Sequence, residues 1–287
     1  MKLRLTSLAL LLAGLMPLQA KPYDAERIVW ARPMQPFHVI GNIHYVGTAG
    51  VSAFLIVTPE GNILTDGGLE ETADAIAANI TALGFRLQDT KIILNTHAHF
   101  DHSGGLAALK ARTGARLIAS AADRQALETG HTEFGPSSEV DAPPVKVDQA
   151  VNDGDTVRLG GVMLTANITP GHTPGCTTWT MPLTEAGVRH QVMFFCSITV
   201  AGNPLLNNKL RPQIVADYRG SFAKLAAMKP DIFLAPHGDQ MRLTAKLAKV
   251  APGQPNPFID AEEFAPFLAR QQAAFERELA RQQAAAP

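Results

Sequence analysis

Short apolar runs alternate along this chain with amphipathic stretches, and glycine or proline separates most of them. Apolar β-branched runs predict strands, which we expect at 37–46, 52–57, 62–65, 92–94, 116–118, 156–159, 162–168, 176–181, 191–195 and 233–235. Apolar residues at helical spacing predict helices at 69–83, 106–110, 121–128, 217–228 and 260–282. Strands and helices thus alternate in two halves, with no sequence repeat and no separating linker. The pattern predicts an α/β fold in a single domain.

The first twenty residues have the pattern of a secretory signal peptide. Lys2 and Arg4 precede an apolar run over 5–15, and small residues near Ala20 offer a cleavage site after it. The run is too short to span a bilayer, and no cysteine follows it that could carry a lipid anchor. We therefore expect residues 1–20 to be removed on export to the periplasm, no membrane anchor, and residues 21–287 to form the domain.

The composition is that of an ordinary globular protein, with 46% hydrophobic residues, 18% charged residues and a formal net charge of −1 over 287 residues. Nucleic-acid binding depends on basic side chains that neutralise phosphates. Because the chain has no basic excess, we expect no nucleic-acid partner.

The candidate chemistry lies at the end of the strand predicted at 92–94, where the sequence continues Thr-His-Ala-His-Phe-Asp-His. His97 and His99 point the same way in an extended segment, because side chains alternate along it. Asp101 and His102 follow where the chain turns, so that they can face a second centre. Imidazoles with one carboxylate suit zinc better than calcium or magnesium.

Two further histidines stand in glycine- and proline-rich turns that follow apolar sequence. His172 lies in Thr-Pro-Gly-His-Thr-Pro-Gly, and His237 follows the run at 233–235. With the four residues of the first motif they make six ligands, which is enough for three at each of two zinc ions.

Other polar residues have more than one interpretation. Asp66 ends a strand before two glycines, where it is a turn residue, a partner that orients a metal-bound histidine, or both. His131 begins the long polar segment 129–154, which we interpret as a flap beside the site. The remaining histidines are interpreted as core or surface residues: His38, His44 and His190.

The chain has two cysteines, Cys176 and Cys196, both in strand-like sequence. Export to an oxidising compartment favours a disulfide between them. Two free buried thiols, or Cys196 as a metal ligand, are the alternatives.

The motifs His-Ala-His-Phe-Asp-His, Thr-Pro-Gly-His-Thr-Pro-Gly and Pro-His-Gly, in this order, resemble those of the metallo-β-lactamase superfamily over about residues 37–247. The resemblance implies a four-layer αββα sandwich. Glyoxalase II-like hydrolases and acyl-homoserine lactonases of that superfamily carry a metal-bridging aspartate where this chain has the acid-free stretch 194–199. Subclass B1 enzymes lack a histidine directly after the motif aspartate, where His102 stands. A second set of Asp101, His102 and His237, with serine at 197, is most similar to subclass B3.

This resemblance implies an enzyme with two zinc ions, the first held by His97, His99 and His172 and the second by Asp101, His102 and His237. It implies that a metal-bridging hydroxide, oriented by Asp101, opens the β-lactam ring of penicillins, cephalosporins or carbapenems and so confers antibiotic resistance. Ser197 and Thr199 would bind the substrate carboxylate. We expect a monomer acting on this small-molecule substrate. The alternatives are a zinc hydrolase of the same fold acting on a lactone, thioester or other ester, and a non-catalytic zinc-binding protein.

Overall fold

The computed structural model describes residues 23–133 and 135–286 as two β-sheets with helices. The signal peptide predicted at 1–20 lies outside the described residues. The strands are β1 Phe37–Ile40, β2 Ile43–Tyr45, β3 Phe54–Thr58, β4 Gly61–Thr65, β5 Thr90–Leu94, β6 Arg116–Ser120, β7 Gln149–Val151, β8 Thr156–Leu159, β9 Val162–Ile168, β10 Thr177–Glu185, β11 Val188–Phe194 and β12 Ile232–Leu234. The α-helices are α1 Asp24–Trp30, α2 Ala73–Ala82, α3 Phe100–Ser103, α4 Leu106–Thr113, α5 Arg124–Thr129, α6 Ile214–Ala227, α7 Leu243–Leu247 and α8 Phe264–Ala285.

The first sheet contains β1 to β7 in sequence order, and the second has the order β12-β11-β10-β9-β8. Pairing in the first sheet is antiparallel from β1 to β4 and parallel from β4 to β7. In the second sheet only β11 and β12 are parallel. The carboxyl ends of parallel strands share one edge of a sheet, and this edge carries the candidate site.

The core forms layers because strand residues alternate between two buried faces. Ile63 and Ile92 of the first sheet belong to one apolar cluster with Leu164 and Trp179 of the second sheet, which also includes residues of α6 and α8. Their neighbours along the strands, such as Leu64, pack in a second cluster with residues of α2 and α4. Helices thus cover the outer faces of two packed sheets, which confirms the predicted αββα sandwich.

The structure differs from the sequence prediction mainly in short elements. The segment 129–154 is not a continuous loop, because Gln149–Val151 pairs in parallel with β6 and a 3-10 helix spans Pro136–Glu139. Helices α1, α3 and α7 were not predicted, since none is longer than 7 residues and none shows a repeated apolar stripe. Among the described residues, no helix combines the length and the hydropathy that a membrane span needs.

Candidate metal centre

The six predicted ligands come from three loops that meet where the two sheets end. Four of them follow β5, on the extended residues before α3 and on α3 itself. His172 lies in the loop between β9 and β10, and His237 follows β12. All six are buried except His237, whose side chain is 19% exposed. The structure therefore brings together residues that are up to 140 positions apart in the sequence.

The first group contains His97, His99 and His172, whose ligand nitrogens lie within 4.8 Å of one another. The Nε2 atoms of His97 and His172 are 3.2 Å apart. The Nδ1–H of His172 donates to the carbonyl oxygen of Thr199 at 2.8 Å. This bond leaves the lone pair of His172 on Nε2, where it faces the other two rings.

The second group is centred on Asp101. Its Oδ2 lies 3.2 Å from Nε2 of His102 and 3.4 Å from Nε2 of His237, and the two Nε2 atoms are 3.3 Å apart. Nδ1 of His237 is bonded to the carbonyl oxygen of Gly50 at 3.2 Å, so its Nε2 also turns inward. His97 is close enough to Asp101 and His102 to form a group with them as well. The two groups are thus adjacent.

Burial and neighbouring charges set the ionisation of these residues. Burial lowers the pKa of His99 to about 4 and the pKa values of His97 and His172 well below 6.5. These rings are therefore neutral, which is the form that binds metals. Burial alone would raise the pKa of Asp101, but the neighbouring His102 and His237 hold it well below its ordinary value. Burial opposes protonation of His102, but the carboxylates of Asp101 and Asp66 raise its pKa to about 10.

The donor set fits a divalent metal on the geometry alone. Several ring nitrogens with inward lone pairs converge on one small volume, and two such lone pairs at 3.2 Å repel each other unless a cation or proton lies between them. Buried Nδ1 of His102 has no hydrogen-bond partner among the described atoms, the nearest carboxylate oxygen being Oδ2 of Asp66 at 3.7 Å. Imidazole with one carboxylate is the ligand chemistry of zinc and related transition metals.

Asp66 holds the loop that carries the first four ligands. Its carboxylate accepts hydrogen bonds from the backbone N–H of Thr96 at 2.7 Å, the hydroxyl of Thr96 at 2.7 Å and the amide of Asn95 at 3.0 Å. Its φ of 57° is in the left-handed region, which aspartate tolerates better than most residues. Asp66 is thus a turn residue, and its carboxylate also fixes the backbone just before His97.

Ser197 and Thr199 stand beside His172. The hydroxyl of Thr199 lies 3.2 Å from Nδ1 of His172, and 3.4 Å from the hydroxyl of Ser197. The preceding residue, Cys196, forms a disulfide with Cys176. The disulfide removes both alternatives for the cysteines, the free thiols and Cys196 as a ligand.

The other histidines lie away from the two groups. His38 bonds the carbonyl oxygen of Gly41, His44 packs against it, and His190 is on β11. His131 is paired with Asp141 at 2.8 Å and lines a cavity of about 290 Å³ that also borders His99. The start of the predicted flap therefore flanks the site, although His131 does not join the ligands.

Some residues around the site were missed by sequence reasoning. Trp30 of α1 packs on His237 with 5.2 Å between ring centroids, and its short helix gave no periodic signal. Asp123 is buried and accepts hydrogen bonds from the N–H groups of Ala98, between His97 and His99, and of Gly175, in the loop that carries His172. An acid shortly after β6 resembles Asp66 after β4, and this parallel could have identified it.

Comparison with known proteins gives the family. The family model described as the metallo-beta-lactamase superfamily matches residues 46–237, about two thirds of the chain. The chain belongs to the metallo-β-lactamase superfamily. The match ends at the last predicted ligand, His237, so that all six candidate ligands lie inside it.

Solved structures of this superfamily share most of the chain. A subclass B3 metallo-β-lactamase of Bradyrhizobium japonicum is 44% identical with a TM-score of 0.86, and the match covers 90% of this chain and 98% of that one. The native metallo-β-lactamase from Legionella gormanii is 39% identical with a TM-score of 0.85, covering 88% of this chain and 98% of that one. These neighbours confirm the predicted resemblance to subclass B3 and support a metal-binding hydrolase with a small-molecule substrate.

The curated relatives match a shorter stretch. A hydroxyacylglutathione hydrolase of Methylobacterium nodulans is 39% identical over 100 residues, which are 35% of this chain. The chain spans 31% of the length of that relative.

Proposed function

We propose that this protein is a dizinc β-lactamase that opens the β-lactam ring of penicillins, cephalosporins or carbapenems, and so gives antibiotic resistance. The observation that carries the proposal is the composition of the second ligand group. Asp101, His102 and His237 converge there, and Cys196, the alternative ligand, is instead joined to Cys176 in a disulfide. The structural likeness to subclass B3 enzymes over nine-tenths of the chain supports the same substrate class.

In this proposal His97, His99 and His172 hold one zinc ion and Asp101, His102 and His237 hold the other. Bound zinc supplies a Lewis acid for the scissile carbonyl and lowers the pKa of a coordinated water to about 7. With three protein ligands each, both ions would keep an open position, as catalytic rather than structural zinc sites do. This openness argues against a non-catalytic zinc-binding protein.

The chain's own residues position the substrate and the attacking water. The carboxylate of Asp101 stays ionised and accepts a hydrogen bond from the attacking water, which directs its lone pair at the carbonyl carbon. The hydroxyl groups of Ser197 and Thr199 lie side by side next to His172 and donate to the carboxylate of the substrate. Because the ligand groups are buried, few solvent molecules compete with the substrate for their polar atoms.

The second candidate is a hydrolase of the same fold acting on a thioester, lactone or other ester, favoured by the relative named hydroxyacylglutathione hydrolase. Against it stands the stretch 194–199, which holds no acid. Two other described carboxylates lie near the ligands. Asp66 approaches His102 from its Nδ1 side, and Asp123 accepts hydrogen bonds from the backbone N–H groups of Ala98 and Gly175, so neither is placed between the two groups as a bridging ligand.

The test is hydrolysis of one penicillin, one cephalosporin and one carbapenem by the zinc-loaded protein, with a glutathione thioester and a homoserine lactone assayed in parallel. We expect turnover of a β-lactam that a chelator abolishes and added zinc restores. Turnover of the thioester or the lactone alone would refute the β-lactamase and favour the second candidate. Two bound zinc ions with no turnover of any of these substrates would refute catalysis.

Asp101→Ala and Asp74→Ala form a matched pair of variants for this assay. Both remove one carboxylate, but Asp74 lies on the surface of α2, where its side chain is 80% exposed and pairs with Arg112. We expect Asp101→Ala to lose at least 100-fold in kcat, because a metal ligand that also orients the nucleophile is removed. Asp74→Ala should retain the wild-type rate.

We further propose that the protein is exported, that residues 21–287 form one domain, and that it acts as a monomer in the periplasm. The basic and apolar pattern of residues 2–15 supports export. Amino-terminal sequencing of protein recovered from the periplasmic fraction should begin at Lys21. Light scattering of that material should give the mass of one chain.

A further inference from the structure

Helix α6 holds the loop that carries His172 by bonding its backbone. Three side chains spaced three residues apart on α6 donate to carbonyl oxygens: Tyr218 to Thr199 at 2.9 Å, Ser221 to Pro170 at 2.7 Å and Lys224 to Ile168 at 3.0 Å. Residues at this spacing share one face of a helix. One face of α6 therefore contacts both segments that flank the first ligand group.

The bond from Tyr218 differs from the other two because its acceptor is shared with a ligand. The carbonyl oxygen of Thr199 also accepts the Nδ1–H of His172, at 2.8 Å. One oxygen thus has two donors, the ring of His172 and the hydroxyl of Tyr218. Fixing this oxygen fixes the direction of the imidazole, and hence of its Nε2.

The ring of Tyr218 fits a gap that only glycine leaves. A Cβ placed on Gly171 would lie 2.7 Å from the Tyr218 ring, and Gly171 has a φ of 143°. The tyrosine is fully buried, and burial raises the pKa of its hydroxyl, which therefore stays protonated and keeps donating. Packing against Gly171 aligns the ring, and the hydroxyl then reaches Thr199.

We propose that Tyr218 is a positioning residue for the first metal group, acting on His172 through the carbonyl oxygen of Thr199. A phenylalanine would fill the same space, so packing of the ring does not explain why this position carries a hydroxyl group. The same bond sets the backbone at Thr199, whose side chain stands beside His172. This role of Tyr218 rests on the proposed zinc site at the first group, but it does not depend on which substrate the enzyme hydrolyses.

The test measures zinc affinity in a background that isolates the first group. His237→Ala removes one ligand of the second group and leaves His97, His99 and His172 intact. In this background Tyr218→Phe should weaken zinc binding about 10-fold, the lower end of the effect of partners that orient metal-bound histidines. A chromophoric chelator that competes for the zinc gives the affinity without any assay of activity.

Tyr45→Phe in the same background is the matched control. Tyr45 is also fully buried and also donates its hydroxyl to a backbone carbonyl, that of Thr48, which is not bonded to His172. We expect Tyr45→Phe to lose stability to a similar extent as Tyr218→Phe, but to bind zinc with the affinity of the background protein. The proposal would be overturned if Tyr218→Phe bound zinc with the affinity of the background protein. It would also be overturned if both variants lost affinity by the same factor.

A second variant keeps the test decisive if Tyr218→Phe fails to fold. Asn203→Ala removes the amide that donates to the backbone carbonyl oxygen of His172 itself, at 3.1 Å. It should weaken zinc binding at the first group by a similar factor, with thermal unfolding of the metal-free protein measured beside it. If a folded Asn203→Ala protein in the His237→Ala background bound zinc with the affinity of that background, the proposal that the backbone of this loop positions His172 would be overturned.

Discussion

The disulfide between Cys176 and Cys196 gives a prediction whose size follows from the chain. Both cysteines are fully buried, and 20 positions separate them. The bond joins the segment just before β10 to the residue before Ser197, and it lies against the loop of the first ligands, since Sγ of Cys196 is 3.3 Å from the carbonyl oxygen of Thr96. Reduction leaves both side chains in place and removes only the cross-link.

A cross-link stabilises a protein mainly by restricting its unfolded chain. For a closed loop of 20 residues the chain-entropy relation gives a loss of about 11 cal/mol/K, or about 3 kcal/mol at 25 °C. For a protein of this length, this corresponds to a decrease of about 5 °C in Tm, because the entropy of unfolding grows with chain length. We therefore expect reduced wild-type protein to unfold with a free energy about 3 kcal/mol smaller than oxidised protein.

Urea unfolding followed by circular dichroism, with and without a phosphine reductant, measures this difference. The double variant Cys176→Ala, Cys196→Ala adds the loss of buried sulfur atoms, so it should be somewhat less stable than reduced wild type. The reductant should leave the double variant unchanged, which controls for effects of the reagent. A difference below about 1 kcal/mol between oxidised and reduced wild type would refute the entropy argument.

Three further predictions concern the metal groups. Asp66→Asn replaces one of the two carboxylate oxygens that accept from the N–H and the hydroxyl of Thr96 with an amide donor, so one of these two hydrogen bonds is lost or reversed. It should weaken zinc binding at least 10-fold by chelator competition; wild-type affinity would contradict the orienting role. Metal-free protein should lose stability in acid, because the folded pKa of His99 is about 4 and its ordinary value is 6.5. The contribution of the neutral His99 ring is complete above pH 6.5 and is lost as the pH falls towards 4, a loss of about 2 kcal/mol by pH 5 for this ring. The neutral rings of His97 and His172 add losses in the same direction, and the raised pKa of His102 opposes only part of them. Denaturant curves at pH 7 and pH 5 that coincide would exclude this loss. Free zinc at 1,000 times its Kd should raise the free energy of unfolding by about 4 kcal/mol, and a chelator should reverse the gain in thermal melts; melts that zinc leaves unchanged would exclude a site in the folded state.

The sequence singled out the six candidate ligands because each of them directly follows an apolar strand or lies in a turn rich in glycine and proline. Such local patterns survive in a single sequence. Tyr218 and Trp30 carry no local signal of this kind, since a tyrosine on an amphipathic helix and a tryptophan on a short helix are ordinary. Their contacts with Thr199 and His237 arise only when distant segments pack. Likewise, Gln149–Val151 becomes a strand through its pairing with β6 rather than through its own three residues.

Each metal group draws its ligands from both sheets, so metal binding and sheet packing are coupled. The first sheet supplies the residues after β5, while His172 and His237 belong to the second. The sheets are also joined next to the site by direct hydrogen bonds between protein groups. The N–H of Thr177 donates to the carbonyl oxygen of Thr96 at 2.8 Å, and the indole of Trp179 donates to that of Asn95 at 3.2 Å. A single apolar cluster also spans both sheets. The loops that carry the candidate ligands are therefore held by contacts between protein groups, and we expect the protein to stay folded when metal is removed by a chelator. This arrangement differs from small zinc domains, which unfold when the metal is removed.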